Sequence, residues 1–202
     1  MAMVDPRRFP SLTRYLDLHG GRLDRYPECQ SKTHLLRDLQ AEGPLPLAPG
    51  SLPPEVEALL REPPPVNTWM STMMLEAAFL AYADERFSSQ AAAEDWVYRS
   101  DLLRFRGPLY RILMVLTRPS SMLRAAGTRW SAFHRGTSLE VETASERAVG
   151  TLRFPPWLYL PDAKINFSGS FRAALTAAGA STAVAELAEA GQDFHRYLAT
   201  WS

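Results

Sequence analysis

The chain predicts an α+β fold: a helical lobe packed on a C-terminal antiparallel sheet of about four strands, ordered as β-hairpin, helix, β-hairpin. Three observations carry this expectation. Apolar residues between Trp69 and Phe133 recur at helical spacing. After Gly136 the repeat shortens to alternation, the period of a strand. Glycine or proline punctuates the chain between most of the predicted segments.

The elements follow in chain order. Ser11 to Leu18 predicts a short helix stopped by Gly20-Gly21, and Ser31 to Gln40 a second stopped by Gly43. A proline-studded linker, Pro44 to Pro54, leads to a one-to-two-turn helix over Pro54–Arg61. That helix has proline at its first position, where no amide partner is lost, and Pro63-Pro64-Pro65 beyond its end. Residues 1–45 read as an N-terminal helical extension and residues 46–202 as the main domain.

Thr68 to Ala83 places apolar residues at 69, 70, 73, 74, 77, 80 and 81, a broad buried stripe with Thr68 as its cap. Ser88 or Ser89 opens the next helix, to about Phe105. Gly107-Pro108 breaks it, and a further helix sets Leu109, Ile112, Leu113 and Leu116 on one side. Pro119 starts another, with Met122, Leu123, Ala126, Trp130 and Phe133 inward and Gly136 as its stop. In Thr137 to Thr143, Leu139 and Val141 oppose Glu140 and Glu142, so this segment is a strand. Ala144 to Arg147 is the turn and Ala148 to Phe154 the partner strand, ended by Pro155-Pro156. A helix over Pro161 to Ala178 and a weaker hairpin, Thr182–Ala188 with Phe194–Trp201, complete the chain. The alanines around 183–190 suit a helix equally well.

Composition narrows the function classes. Of 202 residues, 46% are hydrophobic and 22% charged, ordinary for a globular protein that buries roughly 70% of its unfolded surface. One cysteine, Cys29, excludes an internal disulfide and a thiolate metal cage, and suits a reducing cytoplasm. The N-terminus lacks the apolar core of a secretory signal, and no apolar run is long enough to span a bilayer. Only two of the basic residues are lysine; with abundant Ala and Pro, this matches a high-GC bacterial genome. Net charge is zero but segregated: eight acids between Ser51 and Asp95, then eight arginines between Trp96 and Arg135. That pattern fits a basic face for an anion, or oppositely charged helices neutralising one another.

No catalytic signature accompanies the fold. The four histidines, His19, His34, His134 and His195, show no zinc spacing and read as surface or hydrogen-bonded residues, with His134 favoured by a helix C-terminus. Phosphate-binding glycine loops and a nucleophile elbow are missing. Glu140 and Glu142 lie on the polar side of a strand. The more informative cluster is aromatic and methionine-rich: Trp69, Met70, Met73 and Met74, then Trp96 and Phe105, Tyr110 and Met114, and Met122, Trp130 and Phe133. Such side chains fill a core or line an adaptable apolar pocket.

The stretches Leu109-Tyr-Arg-Ile-Leu, Met122-Leu-Arg-Ala-Ala-Gly-Thr-Arg-Trp130-Ser-Ala-Phe133-His, Gly136-Thr-Ser-Leu-Glu-Val-Glu142 and Leu152-Arg-Phe-Pro-Pro156 carry a resemblance. Over roughly residues 50–202 the chain resembles an uncharacterised myxobacterial paralogous family related to haem–nitric-oxide-binding and four-vinyl-reductase domains. The resemblance implies a helical lobe on a four-stranded antiparallel sheet, often dimeric, binding small molecules or partner proteins in signalling. Haem is not implied here. The helix comparable to the one bearing the axial histidine, Gly107 to Thr117, has Tyr110 but no histidine, and the Tyr-x-Ser-x-Arg motif is missing. A single cysteine also falls short of the metal-binding cluster of four-vinyl-reductase relatives.

The leading expectation is a non-enzymatic, cytoplasmic regulatory or sensory module holding a small apolar ligand between helical lobe and sheet. Its candidate lining is Trp69, Met73, Tyr110, Met114, Trp130 and Phe133, with Arg106 for a ligand carboxylate. The alternative is a homodimerisation or protein-interaction module with a solid core. No cofactor, metal, nucleic acid or membrane is expected as a partner.

Overall fold

The structure, a computed structural model, describes residues 4–33, 36–37, 39, 43–65, 68–107 and 118–202. The fold is α+β, as predicted. Its described elements are α1 (Pro10–Leu18), β1 (Gln30–Lys32), α2 (Pro54–Arg61), β2 (Trp69–Ser71), α3 (Thr72–Arg86), α4 (Gln90–Arg106), α5 (Pro119–Arg129), β3 (His134–Arg135), β4 (Ser138–Thr143), β5 (Arg147–Arg153), α6 (Ser168–Ala177), β6 (Ala183–Ala190) and β7 (Phe194–Trp201).

The C-terminal sheet has the antiparallel order β4-β5-β7-β6. Both predicted hairpins form, and each inward register is apolar. Leu139 lies opposite Leu152, and Gly150 opposite Tyr197. The alanine-rich segment resolves as strand β6, since it completes the ladder on β7, with a bulge between Leu187 and Glu189. One face of this sheet receives α5 and α6.

Helix α3 is the centre of the lobe. Nine of its fifteen residues are buried, including Met73, Leu75, Leu80 and Tyr82, because α1, α2 and the short strands β1 and β2 pack around it. Ser71 caps it through a hydroxyl accepting the Met74 amide. Near its other end Asp84 accepts from the Ser11 amide (2.8 Å), the Ser11 hydroxyl (2.8 Å) and the Leu12 amide (3.2 Å). A remote carboxylate thus closes the N-terminus of α1, where Phe9 offers no side-chain cap.

Several expectations need correction. Ser31 is in strand β1, not a helix; helix resumes at Leu36, Arg37 and Leu39. Thr68 does not cap α3: residues 69–71 are strand β2, pairing with β1 before the helix starts. The helix from Pro119 ends at Arg129, passes through a 3₁₀ turn, Trp130–Ala132, and gives way to β3, which pairs with the other edge of β1. Together these short strands form a second antiparallel sheet, β2-β1-β3. The helix expected from Pro161 begins only at Ser168, whose amide is taken by the Asn166 side chain at 2.8 Å. The helix predicted over Leu109–Leu116 lies outside the described residues.

Residues near the N-terminus share the common core, with Phe9, Leu12, Tyr15 and Cys29 fully buried in it. They also grip the connection between β5 and α6. The Tyr26 hydroxyl donates to the Pro156 carbonyl, His19 Nε2 meets the Trp157 carbonyl, and the Tyr15 hydroxyl donates to the Leu158 carbonyl, at 3.0, 3.1 and 3.2 Å. Trp157 sits there at φ 64°, the left-handed region that a bulky side chain seldom occupies.

Candidate binding cavity between helices and sheet

A cavity of about 90 Å³ lies where α3, α4, the start of α6, the β5–α6 connection and β7 converge, with the small sheet closing one side. Each wall follows from local structure. Helix α3 contributes Thr72, Leu75, Glu76 and Phe79, on its i, i+3, i+4, i+7 row. Helix α4 presents Trp96, Val97, Ser100, Asp101 and Arg104 by the same rule. Strand β7 supplies His195 and Tyr197, two apart and therefore on one face. Gly169 brings α6 close to α4: a Cβ there would sit 2.6 Å from the Glu94 carbonyl and 2.8 Å from Val97 Cβ.

The lining is aromatic with buried polar groups set into it. Tyr159 and Phe167 meet edge to face at 5.5 Å and 89°, and Phe167 meets Tyr197 at 6.4 Å and 87°. These rings form a perpendicular corner, joined on the lining by Trp96 and Phe79. Trp96 Nε1 and His195 Nε2 are buried without a hydrogen-bond partner among the described residues. The other ring nitrogen of His195 contacts the Tyr197 hydroxyl at 3.3 Å. A second polar seam joins the small sheet to α3. Ser31 Oγ lies 2.9 Å from the Thr72 hydroxyl and 3.1 Å from His134 Nδ1, while the His134 ring stacks on Trp130 at 4.1 Å.

Burial shapes the ionisation of these groups. Glu76 is pushed up to about 8 by loss of solvent, and it makes no hydrogen bond or ion pair among the described residues. Glu76 is half-buried and stands on the lining of the cavity. Asp101 rises to about 6 through burial, opposed by a hydrogen bond from Ser170, and is ionised at neutral pH beside the Arg104 guanidinium at 2.6 Å. Burial lowers His195 to about 4, leaving it neutral at pH 7. Tyr197 is raised by burial, and Tyr159 far above the ordinary tyrosine range by the same cause, so both keep their protons.

The predicted site residues fall elsewhere. Met73 is packed in the core, and Arg106 is exposed on the last turn of α4. Trp69 is half-buried on β2, with Lys32 and Arg135 over its ring at 4.2 and 3.9 Å. Trp130 stands behind His134 as a second layer, and Phe133 is half-buried beside it; none of these five lines the cavity. Tyr110 and Met114 lie outside the described residues. The residues that sequence reasoning passed over are Glu76, His134, His195, Tyr159 and Tyr197. His134, read as a surface or hydrogen-bonded residue at a helix end, is a buried member of strand β3 hydrogen-bonded to Ser31.

Among the described residues no group of three His, Cys, Asp or Glu side chains is arranged to hold a metal, and no helix is long and apolar enough to cross a membrane. No family model, curated protein or solved structure matches the chain.

Proposed function

We propose that the protein is a non-enzymatic regulatory or sensory module that binds a small molecule in the cavity between helical lobe and sheet. The observation that carries this reading is the cavity itself. Its volume of about 90 Å³ is several times the ~10–15 Å³ that one water requires. Aromatic walls supply apolar contact, while Glu76 offers a polar group that the described protein leaves unpaired. The resemblance to the myxobacterial family supports the same kind of role.

The polar groups do not assemble into a catalytic set. Ser31 and His134 are hydrogen-bonded, but Ser31 is 1% exposed and also tied to Thr72, a seam that joins strand to helix. Ligand occupancy is tested by thermal unfolding against a fragment library, with Ser100→Phe filling the cavity. Hits should raise the melting temperature of the native sequence and leave the filled variant unmoved. Equal shifts in both proteins would show that the hits bind elsewhere. Self-association at the outer edge of β6, where Val184 is 57% exposed, is the second reading. Sedimentation showing a monomer at high concentration would remove it.

A further inference from the structure

We infer that the cavity selects a small organic cation of the alkylammonium class, with Glu76 as its counter-charge and the rings of Trp96, Tyr159, Phe167 and Tyr197 as its cage; this rests on the binding role proposed above. Three features converge on that chemistry. The rings of Tyr159, Phe167 and Tyr197, set edge to face, all border the cavity. Ring faces are electron-rich, and a cation enclosed by several of them is held without needing hydrogen bonds. Glu76 places a carboxyl beside those rings with no cation of the described protein against it. The other charges of the lining, Asp101 and Arg104, already pair at 2.6 Å and cancel. Among the described residues of the lining, Glu76 is thus the one group that can become charged without a partner, and only a cation gains by its ionisation; a neutral ligand or an anion meets a protonated carboxyl.

Size narrows the class. A cavity of about 90 Å³ is smaller than the ~150 Å³ apolar cavity that accepts benzene, so the occupant has about four or five non-hydrogen atoms. Tetramethylammonium has that size and carries no proton of its own.

The titratable groups around Glu76 set what binding does to protons. Tyr15 on α1, Tyr159 on the connection and Tyr197 on β7 all feel its charge and stay protonated. On the other walls His195 is neutral, His134 is hydrogen-bonded to Ser31, and Asp101 is paired with Arg104. Glu76 itself holds its proton at pH 7 when the cavity is empty and gives it up when a cation arrives.

The test uses the full chain and three probes of four or five non-hydrogen atoms: tetramethylammonium, tert-butanol and acetate. Calorimetry at pH 7 in two buffers of different ionisation enthalpy gives affinity and proton count together. Tetramethylammonium should bind at least about tenfold more tightly than tert-butanol and release up to about one proton, with acetate weakest. In Glu76→Gln the preference should shrink by about tenfold and the proton release vanish, while circular dichroism confirms the fold. Tert-butanol or acetate binding as well as the cation would overturn the ammonium inference and leave the binding role standing. Three silent probes would overturn both.

Discussion

Replacing Glu76 by glutamine should stabilise the protein relative to the wild type by an amount that grows from pH 5 to 8 and levels off above that. The carboxyl shifts from its ordinary 4.5 to about 8 because burial penalises the charged form. Between those values the folded state keeps a proton that the unfolded state has lost. The unfolded chain binds fewer protons there, so stability falls as pH rises, by about 1.4 kcal/mol per pH unit for this one group. Across pH 5 to 8 the wild type should lose about 3.5 kcal/mol relative to Glu76→Gln, which cannot ionise. His195 works in the opposite sense: its folded value of about 4 makes stability drop as pH falls below the ordinary 6.5. Raw curves of the wild type therefore mix both groups below pH 6.5, and the difference between wild type and variant isolates Glu76. Urea unfolding at pH 5, 6.5 and 8 reads it directly. Parallel curves for the two proteins would refute a buried, unpaired carboxyl at this position.

Further outcomes follow from other contacts. Gly169→Ala should cost about 1–3 kcal/mol in urea unfolding, since its Cβ would overlap the Glu94 carbonyl and Val97; an unchanged midpoint would mean that α4 and α6 are not held together there. Asp84→Ala removes the acceptor of two amides and a hydroxyl at the start of α1 and should cost about 2–3 kcal/mol, with α1 the first segment to gain amide exchange. Cys29, buried and pushed up to about 11, should resist thiol reagents in the native protein and react at once in denaturant; rapid native labelling would contradict its placement.

How much of this was legible beforehand depends on the range of the forces involved. Strands β4 and β5 were readable because alternation of Leu139 with Glu140 is a local pattern with a partner segment after a short turn, and β7 was readable more weakly, from the break at Gly191-Gln192. Helices α2 and α4 were readable from Pro54 at one start and Ser89 at the other. The short strands were not. Two or three residues are too few to display a period, and β1 is a strand only because Met70 and His134, both distant in sequence, pair with Ser31. The same applies to the site. Helical spacing drew attention to Trp69 and Met73, whereas the cavity lies around Glu76, one polar residue interrupting an apolar helix. That interruption was a usable signal, as was the inward parity His195 shares with Tyr197, Ala199 and Trp201. No local rule brings Tyr159 to meet them, because its position depends on an irregular connection.

That connection also ties together parts of the chain far apart in sequence. Three consecutive carbonyls, from Pro156 to Leu158, are held by side chains of the first thirty residues, and the next residue is Tyr159. Removing α1 and its flanks would strand those oxygens and release Trp157 from an unfavourable backbone twist. The damage would surface at a ring more than a hundred residues downstream. A shortened version of this protein would therefore be a poor reporter of whatever the intact one recognises.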